Sequence, residues 1–152
     1  MHLDFWTIIY NPVFITVVIS WFLAQFLKIF TPLPKEKKLK FSMFFSASGM
    51  PSSHTSMTVS ATTMIGLVYG FDAPLFGLAL VFSLIVMYDA AGVRYETGKQ
   101  ATIINFLMEE IREHNEIQMV KLKELIGHRP IEVLMGALLG IAVSVTYGFL
   151  VL

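Results

Sequence analysis

The 152-residue chain contains no cysteine, which excludes disulfide bridges and thiol nucleophiles and leaves its redox compartment open. Charge is scarce. Asp, Glu, Lys and Arg make up 14% of the residues, against about 25% in an ordinary soluble domain. Basic and acidic residues number 11 each, so the net charge is zero and no nucleic-acid partner is indicated. No Lys or Arg precedes the first apolar run; the first is Lys28, at its far end. A cleavable signal peptide opens with such a charge, so the run is expected to stay as a membrane helix. Repeats, low-complexity tracts and domain linkers are also missing, and the length fits one domain spanning residues 1–152.

Apolar residues are abundant: they make up 55% of the chain, and mean hydropathy is +0.68. A transmembrane helix needs about 20 mostly apolar residues. Four stretches meet or approach that length, at about 13–30, 52–69, 74–93 and 131–152. Asn11-Pro12 precedes the first and Thr31-Pro32-Leu33-Pro34 ends it, and proline is poorly tolerated inside a helix. Gly66 with Gly70, and Gly136 with Gly140, form small-xxx-small pairs that let helix backbones approach closely. Simple packing explains them; a homodimer is compatible with them.

From about residue 98 to 127 the chain is polar. Ile103, Ile104, Leu107, Met108 and Ile111 recur there at helical spacing among Glu109, Glu110, Arg112 and Glu113. This segment is too charged to span and is expected at the interface or in the cytoplasm. The expected fold is an all-α integral membrane protein with about four transmembrane helices plus this amphipathic helix. With four spans, all 11 Lys and Arg residues, including the basic loop Lys35–Lys40, fall on one side or at its membrane edge. The positive-inside rule makes that side cytoplasmic and puts both termini outside, in a plasma (inner) membrane.

Two histidines enter helices on that same side. His54 follows Pro51-Ser52-Ser53, where Ser52 or Ser53 can cap the second span. A helix N-terminus offers free N–H groups that favour an anion, and a histidine there is a candidate proton donor to a leaving group. His128 begins the fourth span in Gly127-His128-Arg129-Pro130-Ile131-Glu132. Glu132, four residues on, shares its helix face and is placed to hold one imidazole nitrogen protonated, as a nucleophilic or basic histidine requires. Taken singly, an interfacial residue beside a cap and a polar loop residue are the plainer readings. Asp89, near the end of the third span, stands equally as half of a structural pair with Arg94 or Lys28 or as a site residue.

Pro51-Ser52-Ser53-His54 is similar to the proline-serine-glycine-histidine motif of the type 2 phosphatidic acid phosphatase and vanadium haloperoxidase superfamily. Gly127 to Gly136 resembles its last motif, and Tyr88-Asp89-Ala90-Ala91-Gly92-Val93-Arg94 with Gly98-Lys99-Gln100-Ala101 resembles tracts of its divergent membrane branch. The resemblance runs from about residue 25 to 141. The superfamily's first motif, a lysine followed by Arg-Pro, is absent, and Leu122 stands where an arginine usually precedes the last histidine.

The resemblance implies a lipid phosphatase acting on a phospholipid or isoprenoid phosphate or diphosphate, without metal or cofactor. His128 would attack phosphorus, oriented by Glu132, and His54 would protonate the leaving oxygen and then help activate water. Arg94, Lys28, Lys99, Lys123 and Arg129, with Ser52 and Ser53, are the implied candidates for binding phosphate, with Asp89 supporting. The alternative is a non-enzymatic small membrane protein, either a transporter subunit or a lipid-binding scaffold. Vanadate bound in place of phosphate would make an oxidant, which the short loops disfavour.

Overall fold

Asn11 starts the first helix of the bundle. Its side-chain oxygen accepts the backbone N–H groups of Val13 and Phe14 at 2.9 and 3.2 Å, so two donors of the opening turn are satisfied. Helix α1 (Pro12–Lys28) follows, with proline in its first turn. The computed structural model describes residues 5–31, 41–46, 49–114 and 128–152, and every regular element among them is helical. Short 3-10 helices occupy Phe5–Tyr10 and Phe41–Phe45; the longer elements are α2 (Ser53–Tyr69), α3 (Pro74–Ala91), α4 (Val93–His114) and α5 (Pro130–Val151). The basic loop and residues 115–127 lie outside the described residues.

Helix α2 is the centre of the bundle, packed on α1, α3 and α5. Its hydroxyl residues explain how. Ser20 of α1 donates to the Ser56 carbonyl at 3.0 Å and meets the Ser56 hydroxyl. Ser144 of α5 donates to the Ser60 carbonyl at 2.8 Å and pairs with the Ser60 hydroxyl at 2.9 Å. Thr62 pairs with Ser83 of α3 at 2.8 Å and donates to the Ala79 carbonyl at 3.1 Å. Each neighbour thus sends one serine to α2, in the manner of helices that associate in lipid through small and hydroxyl residues.

The two glycine pairs do different things. A Cβ at Gly136 would lie 2.5 Å from the Ser52 carbonyl oxygen, and one at Gly140 would lie 2.6 Å from that of Ser56. These glycines are the seam that brings α5 against α2. Gly66 instead packs under the rings of Phe71 and Phe76, and Gly70, at φ +96°, makes the turn into α3.

Among the described residues, two helical stretches are long and apolar enough to cross a membrane by length and composition. One runs through α3 and continues to Glu109; the other is α5. Helix α1 is apolar but has 17 residues, and α2, also 17, is diluted by Ser and Thr. The polar helical segment, expected from residue 98, begins at Val93 instead. Gly92 turns the chain without stopping it: its N–H donates to the Tyr88 carbonyl at 2.8 Å, and its own carbonyl accepts from Glu96 at 3.0 Å. The remainder of that expected segment, 115–127, falls outside the described residues.

Candidate active site

Three helix ends meet where the histidines stand. Ser52 caps α2: its hydroxyl oxygen accepts the Thr55 N–H at 3.4 Å and the Thr55 hydroxyl at 3.1 Å. Its backbone N–H donates to the Glu132 carbonyl at 2.9 Å, tying the start of α2 to the first turn of α5. The His128 N–H donates to the Ala90 carbonyl at 3.2 Å, which ties the approach to α5 to the last turn of α3. Two parallel helices and one antiparallel helix are thereby registered at one end of the bundle.

The imidazoles of His54 and His128 lie with ring centroids 6.4 Å apart and planes tilted by 49°. His128 is 4% exposed, whereas His54 is exposed. Both line one cavity of about 260 Å³, together with Ile85, Val86, Asp89 and Ala90 of α3. Those four fall at i, i+1, i+4 and i+5, one face of a helix. Asp89, the supporting carboxylate that the resemblance implies, thus lines the cavity, and Ile85, Val86 and Ala90 join it there although nothing in the apolar run sets them apart.

Glu132 reaches toward two groups. Its carboxylate oxygen lies 3.9 Å from His128 Nδ1, and the same oxygen accepts the Arg129 N–H at 3.3 Å. At 3.9 Å the first approach is an electrostatic contact and not a hydrogen bond. Its effect is to place a carboxyl group beside one nitrogen of a nearly buried ring.

The cations disperse. The Lys28 side chain is fully buried, and its ammonium donates to the Ser46 carbonyl at 3.0 Å and to the Ser53 hydroxyl at 3.1 Å; it does not line the cavity. Lys99 pairs with Glu96 at 2.8 Å on the exposed side of α4. Arg129 is exposed at the N-cap of α5. Arg94 falls in the first turn of α4 with its side chain outside the described set, and Lys123 lies outside the described residues. Ser52 and Ser53 are buried beneath the first turn of α2. The arrangement offers one buried and one open imidazole on a shared cavity, with a carboxylate behind the buried one. Such a pair can divide nucleophile and acid roles.

A family model described as the Divergent PAP2 family matches residues 9–143 of the chain. The chain is also 37% identical over 137 residues to the Uncharacterized membrane protein YuiD of Bacillus subtilis (strain 168), covering 83% of this chain and 87% of that protein. No solved structure matches it.

Proposed function

The chain belongs to the Divergent PAP2 family, and from that premise we propose that it is an integral membrane lipid phosphatase working through a phosphohistidine. The observation that carries this reading is the pair of histidines on one cavity, at helix starts that the family's own motifs occupy. His128 attacks phosphorus through one nitrogen while Glu132 favours a proton on the other. His54 gives its proton to the leaving oxygen and later helps draw a proton from the water that releases phosphate. Arg129, Arg94 and Lys123 are the cations proposed to offset the charge of the transferring group.

The proposed substrate is a phospholipid or isoprenoid phosphate or diphosphate. A cavity of about 260 Å³ is just under the range of roughly 300–1,000 Å³ that encloses a whole drug-sized ligand. It suits a head group whose tail stays among the lipids. Ile85 supports entry from the bilayer side, since it lines the cavity and is also 61% exposed on α3.

We further propose that α1, α2, α3 and α5 all cross the bilayer as one domain, with the site facing the cytoplasm. Helices of 17 residues are about 25 Å long at 1.5 Å per residue and lie at the short end of the spanning range. Ser56, Ser60 and Thr62 of α2 are buried against its neighbours rather than turned to lipid, so its low hydropathy is compatible with crossing. The test is phosphate release by the purified protein in lipid or detergent, over a panel of lipid phosphates and diphosphates. Release that disappears in His128→Ala supports the proposal. No release from any member of the panel favours the lipid-binding scaffold, a reading helped by the lack of Lys or Arg on the described cavity lining.

A further inference from the structure

Lys28 is the one fully buried ammonium among the described side chains. It is the last residue of α1, whose C-terminus favours a cation, and it packs against the first turn of α2, whose N-terminus repels one. Burial removes its water, and both of its hydrogen bonds go to neutral oxygens, the Ser46 carbonyl and the Ser53 hydroxyl. Packing alone would be served at less cost by Met or Leu, which fill a similar volume without charge. The position therefore calls for the charge or for the two bonds.

Both lead to the histidines. Ser53 immediately precedes His54, so the Lys28–Ser53 bond fixes the turn from which His54 projects. The Ser46 bond holds the chain approaching that turn. The Ser52–Glu132 backbone bond joins the same turn to the start of α5, which carries the carboxylate beside His128 Nδ1. Among the described side chains, the other charged or titratable groups at this end are His54 on α2, Asp89 on α3, and His128, Arg129 and Glu132 at the start of α5. Lys28 is the buried cation in the set.

Resting on the two-histidine reading above, we propose that Lys28 is a positioning residue: without touching substrate, it sets the placement of His54 through its bond to Ser53. Its substitution therefore changes turnover and the setting of the His54 imidazole, and leaves substrate affinity nearly unchanged.

The experiment compares wild type with Lys28→Met and Ser53→Ala in lipid nanodiscs. Isotope-labelled histidine NMR at neutral pH reads the His54 imidazole, assigned by its loss in His54→Gln. Lys28→Met and Ser53→Ala are both expected to shift the His54 ring signals away from their wild-type positions. With a hydrolysed lipid phosphate, Lys28→Met is expected to lower kcat by about 10–100-fold, the scale of other supporting partners, with KM within about twofold. A tenfold rise in KM at unchanged kcat would mean direct phosphate binding and overturn the proposal. Unchanged His54 ring signals in Lys28→Met would also overturn it. If Lys28→Met does not fold, Ser53→Ala decides: a lower kcat at unchanged KM supports the proposal, and unchanged kcat refutes it. If the wild type hydrolyses nothing, the phosphatase reading fails while the NMR comparison still decides the role of Lys28.

Discussion

At the scale of residues the two histidines are not equivalent, and their variants should differ in kind. His128 is nearly buried beside a carboxylate, whereas His54 is open. His128→Ala is expected to abolish phosphoenzyme formation. His54→Gln is expected to slow turnover by about 10²–10⁴-fold, the usual contribution of a positioned acid or base. Substrates with good leaving groups should lose much less, because they leave without a proton; steady-state rates on an alkyl and an aryl phosphate would check this. Equal losses on both would contradict the acid role. His54, His128 and Asp89 were legible in the sequence because each stands at the end of an apolar run, where a polar side chain needs a reason. The setting of Lys28 was not legible. It depends on a carbonyl, that of Ser46, which carries no side-chain signature, and on a burial that no sequence pattern shows.

At the scale of elements, α2 decides the architecture, and its seam with α5 is its most constrained contact. Gly140→Leu would drive a side chain into the Ser56 carbonyl and the backbone of Ser60. It should destabilise the bundle by about 1–3 kcal/mol, as overpacking does, and should open the cavity by parting the starts of α2 and α5. Ser60→Ala breaks only one clasp and should cost about 0.6 kcal/mol, the average for such bonds in a membrane bundle. Denaturant unfolding in mixed micelles would measure both. The Gly136/Gly140 pair could be read as a close-packing seam from its spacing alone. Gly66/Gly70 has the same spacing but serves a turn and two phenyl rings, because a residue's partner across a helix is not written in its own helix. Likewise the third span, expected to end near residue 93, breaks at Gly92 and the chain resumes helix at Val93, since one glycine in an otherwise helical stretch bends more readily than it stops.

At the scale of the whole molecule, the ends of α1 and α3 and the starts of α2 and α5 gather at one end, which holds the candidate site. In the sequence all 11 Lys and Arg residues fall from Lys28 to Arg129, at helix ends or in the stretches joining α1 to α2 and α3 to α5, and with four spans the positive-inside rule then predicts a cytoplasmic site. Because the chain has no cysteine, single cysteines at Glu36, at Glu113 and appended after Leu152 would report sidedness. A membrane-impermeant thiol reagent on intact cells should label only the last; labelling at Glu36 and Glu113 instead would invert the arrangement. The central claim is that His128 carries the phosphoryl group. The most direct measurement is brief incubation with a lipid phosphate, alkaline quench to preserve the acid-labile phosphoramidate, and mass spectrometry of the peptide containing residue 128. The account predicts a phosphate on His128 in the wild type, absent in His128→Ala and accumulating in any variant that slows the water step. Hydrolysis of the substrate with His128 never modified, or undiminished in His128→Ala, would contradict it.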